Sequence, residues 1–188
     1  LKSERAAKRV LKGVTSYLKE HLKLPVNEEK SGVTVIKDVT FLGFQLLVGK
    51  IRVSDKARTK FKSKIRELTR RNNPLSMHQL IQDMNSYMRG WIAYFRIQEF
   101  KYLLRDFDAW IRSRLRSVQL KKWKNPRTFQ HHAIKAGLPP HQAHRIWMRM
   151  NKWQSTMRKE VRFVMNLDWF RKLGLISLHD YTKATLKT

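Results

Sequence analysis

The stretch from residue 99 to 123 sets Lys101, Arg105, Arg112 and Arg116 at spacings that share one helical face. At roughly 100° per residue these four cations fall within an arc of about 60°. Phe100, Leu104, Phe107, Ile111, Leu115 and Val118 fall on a different side, so the stretch reads as a helix with an apolar face and a cationic rail. A planar guanidinium grips phosphate with two parallel N–H donors, which makes such a rail a candidate phosphate contact. A solvated charged face is the plainer alternative. The whole chain weighs against it: 41 Lys+Arg against 14 Asp+Glu leave a net charge of +27. A compact chain with that load repels itself unless a polyanion screens it, and nucleic acid rewards each neutralised phosphate with counterion release. Arg114, Lys121, Lys124 and Arg127 extend the basic run and Arg89 precedes it, and all are expected to take part.

The run Met84–Phe95 interleaves large aromatics with Asn85, Arg89 and Gly90 at helical spacing. Trp91, Tyr94 and Phe95 have core packing as their first reading, with base stacking as the second. A glycine inside a helix costs about 1 kcal/mol relative to alanine, so Gly90 suggests close approach by a neighbouring helix or by a ligand. Asn85 and Arg89 lie four apart and share a face. The remaining chemistry is thin. Asp106 and Asp108 are two apart on a helix, so their carboxylates diverge. His141 and His144 are three apart but lack an evident third ligand, and there is no cysteine, so no metal site is expected. No Gly-rich phosphate loop and no nucleophile–base pattern is present, and no catalytic residue is named.

The elements that position these residues follow from periodicity and caps. Residues 3 to 23 place Ala7, Val10, Leu11, Val14, Tyr17, Leu18 and Leu22 on one face of a helix capped by Ser3 and ended by Pro25. Phe41 to Val53 reads as a β-hairpin turning at Val48-Gly49-Lys50. From Ser54 onward the chain reads as helical. A basic helix carrying Ala57, Phe61, Ile65 and Leu68 stops near Asn72-Asn73-Pro74. Ser76 and Gln79 form a capping box for the next helix, and Asn125-Pro126 opens another. Gly137-Leu-Pro-Pro140 is a break, followed by helices at about 141–151 and 153–165 and a short aromatic segment ending near Tyr181. The fold class is therefore mainly α, with a small α/β part over 1–53 and a helical bundle over 54–188. No apolar run approaches the roughly 18 residues of a spanning helix, and the opening Leu1-Lys-Ser-Glu-Arg is no signal peptide. It reads as the start of a piece cut from something longer. A soluble, cytoplasmic chain of bacterial type, with nucleoid association as an option, is expected, with no membrane partner.

The chain also resembles the C-terminal part of group II intron reverse transcriptases. Lys2-Ser-Glu-Arg-Ala-Ala7 and Leu24-Pro-Val-Asn-Glu-Glu-Lys-Ser31 are similar to the family's palm-end helix and following loop, and Phe41-Leu42-Gly43-Phe44 looks like its primer-grip turn. Residues 61 to 182 resemble the maturase-specific thumb, also called the X domain. The matching positions are Asn85, Arg89-Gly90-Trp91, Tyr94-Phe95, Trp110, Arg112, Arg114-Leu115, Trp123-Lys124, Trp153, Ser155, Trp169-Phe170, Gly174 and Leu178. The resemblance implies a palm-like helix and hairpin followed by a thumb bundle that binds intron RNA, assists its splicing and clamps the template-primer. The family's Ala-Asp-Asp strand is absent from these residues. Two-metal nucleotide transfer depends on such carboxylates, so no activity is expected from this chain alone. No cofactor is expected here, and Mg belongs to the missing palm. A partner supplying the N-terminal reverse transcriptase segment is implied. The alternatives are a module of an active reverse transcriptase completed by that segment, and an unrelated basic helical nucleic-acid-binding protein.

Overall fold

A computed structural model describes residues 3–36, 39–97, 101–123, 125–147 and 156–185, with side chains omitted at 101, 126, 145–147 and 182–185. Its described part is mainly helical with a small antiparallel sheet near the N-terminus, as the periodicity predicts. The chain divides into two compact units, Leu1–Arg52 and Val53–Thr188.

In the first unit, α1 spans Glu4–Glu20 and its N-cap Ser3 accepts from the Ala6 N–H at 3.2 Å. Lys23 then turns left-handed, and the Leu24 N–H returns to the Leu18 carbonyl. The apolar face exists as predicted, but Val10, Val14 and Tyr17 on it are exposed and no residue of α1 is buried. Strands β1 (Thr40–Phe41), β2 (Phe44–Leu47) and β3 (Lys50–Val53) form a sheet in the order β1-β2-β3. The expected hairpin is its second half. A further two-residue turn joins β1 to β2, pairing Phe41 with Phe44 and Thr40 with Gln45. Leu42 and Gly43 at that turn have φ of 48° and 82°, the positive sign that a two-residue hairpin of right-handed twist demands at both positions.

The second unit is a helical bundle. Helix α2 (Asp55–Leu68) starts at its Ser54 cap, and α3 (Met77–Phe95) carries the capping box between Ser76 and Gln79. Helix α4 (Lys101–Lys122) precedes α5 (Pro126–Lys135), which is capped by Asn125 and opened by proline. Gly137, at φ 95°, makes the break before α6 (Pro140–Trp147). Helices α7 (Lys159–Val164), α8 (Leu167–Lys172) and α9 (Leu178–Thr185) finish the described chain. The last two replace the short aromatic segment expected there. Asn166 caps α8 through the Trp169 N–H, and Ser177 accepts from the Asp180 N–H at the start of α9, where another helix adds a carboxylate, as described below.

The core sits between α2, α3 and α4. Leu104, Phe107, Ile111, Leu115 and Val118 are fully buried, as the wheel predicts for α4; Phe100 lies outside the described residues. Phe61 packs on Trp91 and Phe107 at ring-centroid distances of 4.5 and 4.8 Å, and Trp91 on Phe95 at 4.7 Å. Such aromatic pairs add about 0.5–1.5 kcal/mol each beyond the area they bury.

Candidate nucleic-acid interface

Helix α4 sorts its cations by depth. Along its first half Tyr102, Arg105, Asp106 and Ala109 are exposed, so one side faces solvent. Along its second half every residue from Ser113 to Gln119 is buried or half-buried. The predicted rail therefore does not run the length of the helix: Arg105 is exposed, Arg112 half-buried and Arg116 only 7% exposed. A wheel assumes one buried side, and α4 becomes central to the bundle.

Arg116 is a correction to the expected contact set. Its Nε and Nη2 both donate to the Met165 carbonyl, at 3.1 and 2.9 Å, and its guanidinium lies over the Phe170 ring. Burial first, then the neighbouring Arg112 and Arg162, push its pKa down to about 10. Arg114 is likewise turned inward. Its Nε donates to Thr69 Oγ1 at 3.0 Å and its Nη2 to the Thr69 carbonyl at 2.9 Å, at the end of α2. Lys122 donates to the carbonyls of Asn73 and Leu75 at 3.0 and 2.6 Å. These three cations satisfy carbonyls that helix ends and loops leave unpaired, where the partial charge is negative.

The outward cations are Arg89 on α3, Arg105 and Lys121 on α4, and Arg127 on α5. The side chain of Lys101 and all of Lys124, Trp153 and Ser155 lie outside the described residues. Sequence reasoning named no contact on α2, yet Lys56, Lys60, Arg66, Arg70 and Arg71 are exposed there and in the following loop. The i, i+4, i+8 spacing of Lys56, Lys60 and Lys64 was the available signal. Lys64 itself bridges Glu67 at 2.8 Å.

The aromatics divide the same way. Trp91 and Phe95 are core, whereas Tyr94 is 53% exposed at the edge of α3 and packs edge-on against Phe95. Trp123 is buried and stacks on His132 at 4.6 Å, with Trp169 edge-on to it. Trp110 is half-buried beneath the Arg66 guanidinium. Gly90 faces outward, and a Cβ built on it meets nothing within 4 Å among the described residues. Among the described residues no neighbouring helix explains this glycine.

Asn85 does not share a ligand-facing surface with Arg89. It is buried, its Nδ2 donates to the Gly174 carbonyl at 2.7 Å, and its Oδ1 accepts from the Ile176 N–H at 3.1 Å. Gly174 has φ 84°, a left-handed conformation that glycine adopts without strain. Two residues 89 apart in sequence thus form one clamp on the segment leading into α9. Asp108 is the second clamp. One carboxylate oxygen accepts from the Leu178 N–H at 2.9 Å, and the other from Ser177 Oγ at 2.7 Å and the His179 N–H at 3.2 Å. Burial pushes the Asp108 carboxyl up, while those three donors and Arg112 act to lower it. A carboxylate from α4 thus takes the first N–H groups of α9 beside its local cap, Ser177 Oγ, which accepts from the Asp180 N–H at 3.2 Å; sequence-local rules could find only the serine.

In the first unit Phe41 and Leu42 stand exposed at the β1–β2 turn, whereas Phe44 is buried. His144 Nδ1 lies 2.9 Å from Gln130 Nε2, and among the described residues no three His, Cys, Asp or Glu side chains gather as a metal site. No described helix is long and apolar enough to cross a membrane.

Residues 58–137 match the family described as group II intron, maturase-specific domain. No curated protein matches the chain. The match runs from the first turn of α2 through α5 to the Gly137 break, taking in the aromatic core, Asn85 and the whole of α4, but not the Gly174–Ile176 segment that Asn85 holds. With its mainly helical bundle and these residues in place, the stretch 58–137 is a group II intron maturase-specific domain.

Proposed function

We propose that this chain binds group II intron RNA through the outward cations of its helical unit and in doing so assists splicing. The observation that carries the reading is the fate of the +27 charge. The inward cations are spent on backbone carbonyls, and Arg89, Arg105, Lys121, Arg127 and the α2 residues Lys56 and Lys60 remain on the surface with few carboxylates among them. Exposed ion pairs such as Glu4–Lys8 or Asp168–Arg171 neutralise little of it. Gly90 adds a place where an RNA backbone can approach a helix without meeting a side chain, beside Arg89 and the exposed ring of Tyr94.

The test is a salt titration of binding to a group II intron transcript and to an unrelated duplex of equal length. Binding through several phosphates predicts log affinity falling linearly with log salt, at nearly one per phosphate neutralised, with the intron tighter at physiological salt. Equal affinity for both RNAs would remove specific recognition from this reading.

A second reading is supported by Phe41 and Leu42, which stand exposed at the β1–β2 turn. In that reading the chain is the thumb side of a reverse transcriptase whose catalytic palm, with its Mg, lies on a separate segment or partner. Primer extension with and without that segment separates the two, since RNA binding alone needs neither.

A further inference from the structure

Between α4 and the segment from α8 to α9 lies a cleft of about 300 Å³. Arg105, Asp108 and Arg112 from α4, Arg171 from α8 and His179 and Asp180 from α9 line its polar side, with Phe170 and Ile176 among its apolar lining. Arg171 and His179 fall outside the stretch that matches the maturase domain.

The carboxylates here are already committed. Asp108 spends both oxygens on Ser177 Oγ and the Leu178 and His179 N–H groups. Arg105 Nε donates to His179 Nε2 at 3.1 Å, which leaves the ring proton on Nδ1, facing Asp180 at 3.2 Å. Asp168 meets Arg171 only on the outer surface, in an exposed pair that holds it weakly. Arg112 is half-buried and has no hydrogen-bond acceptor among the described residues. Burial, together with repulsion from Arg162 and Arg171, lowers its pKa, and the attraction of Asp108 and Asp180 offsets that only in part. A partly desolvated guanidinium such as that of Arg112, with exposed guanidiniums beside it, gains most from an anion that brings several acceptor oxygens.

We propose that this cleft seats one phosphodiester of an RNA backbone between the guanidiniums of Arg105, Arg112 and Arg171. The proposal rests on the RNA-binding reading above and adds a defined seat to it. It also gives the two clamps on the C-terminal segment a purpose: Asn85 and Asp108 hold Arg171 and His179 opposite α4, so the seat exists only when that segment is docked.

The experiment is fluorescence anisotropy of a labelled intron RNA across a salt series, with Arg171→Ala, Arg112→Gln and the control Lys172→Ala. Lys172 is exposed on α8 and outside the cleft lining, so its variant removes the same charge beside the site. Each cleft variant is expected to bind about tenfold more weakly and to flatten the salt slope by about one. Lys172→Ala should leave both nearly unchanged. Nitrogen-15 spectra of the Arg Nε–H groups supply a second readout, in which RNA shifts the Arg112 and Arg171 signals at micromolar concentration. An unchanged slope in Arg171→Ala overturns the proposal, and so does an equal effect of Lys172→Ala. Signals that move with inorganic phosphate but not with RNA overturn it too, leaving a seat for a free oxyanion. Should Arg112→Gln fail to fold, Arg171→Ala alone decides, because Arg171 is exposed. A wild-type chain that binds RNA without salt dependence sinks the broader reading; steep wild-type binding with unaltered cleft variants sinks only this one.

Discussion

Replacing Gly90 by alanine should raise stability and lower RNA affinity at the same time. Gly90 lies inside α3, away from both caps, and a built Cβ meets nothing within 4 Å among the described residues. The methyl group therefore brings only the helix-propensity gain, about 0.8–1 kcal/mol. For a unit the size of Val53–Thr188, this corresponds to a melting temperature higher by about 3–5 °C. If RNA packs against this face, the same methyl intrudes on it, and a misfit of that size costs about 1–3 kcal/mol, or roughly 5- to 150-fold in affinity. Thermal unfolding by circular dichroism and anisotropy with an intron RNA read the two effects separately. A melting point that stays put or falls would mean that Gly90 answers an internal constraint. A higher melting point with unaltered affinity would mean that RNA does not approach α3 at this position, and the glycine would lose its functional reading.

Trp91→Ala should cost about 3–5 kcal/mol in urea unfolding, because the ring packs among Phe61, Phe95 and Phe107; retained stability with lost RNA affinity would make it a contact residue instead. Arg116→Ala should destabilise by about 1.5–3 kcal/mol through the orphaned Met165 carbonyl, whereas Lys121→Ala should shift stability by no more than about 0.5 kcal/mol while weakening RNA binding; equal effects of the two on unfolding would contradict the depth sorting on α4. His132, stacked on Trp123, has its pKa lowered from 6.5 by burial first and by His131 and Lys135 next. The folded state then binds fewer protons than the unfolded chain, so this stabilisation is present above pH 6.5 and is lost as pH falls through the lowered value. Urea midpoints from about pH 8 down to pH 5 should drop for the wild type and drop less for His132→Gln; parallel curves would refute the assignment.

What the chain discloses before folding is what its local grammar controls. Ser54, Ser76 with Gln79, and Asn125 before Pro126 each place a side-chain acceptor next to unpaired N–H groups, and each starts a helix where that pattern predicts. The apolar side of α4 is legible for the same reason, since a 3.6-residue period belongs to the helix alone. The roles of Asn85, Asp108 and Arg116 are set by partners 49 to 91 residues away, and no local pattern carries that information. The β1–β2 turn was legible only through the resemblance, which marks Phe41–Phe44 as a turn; residue propensity does not point there, because Leu42 is a poor residue for a positive φ. The start of α9 does carry a local serine cap at Ser177, which the reading of that segment as a short aromatic piece passed over; only the carboxylate that α4 adds there lies beyond any local pattern.

The composition itself explains why α4 carries two kinds of cation. Every helix ends in carbonyls that need donors, and a chain with so few carboxylates has no shortage of Lys and Arg to supply them. Arg114, Arg116 and Lys122 take that work because α4 passes the end of α2, the end of α7 and the loop before α3. Their positive charge is not idle toward RNA, since a guanidinium that donates to a carbonyl stays ionised and still adds to the field outside. Its loss by mutation, however, is felt first by the fold. Formal net charge therefore overstates the number of phosphates this domain can neutralise directly. A salt slope well below the count of Lys and Arg is the expected result, and the shortfall should track the cations that donate inward. Neutralising an inward cation should change the melting temperature more than the slope, and neutralising Arg89, Lys121 or Arg127 should do the reverse. A slope that responded equally to both groups would mean that charge, and not placement, governs how this domain holds nucleic acid.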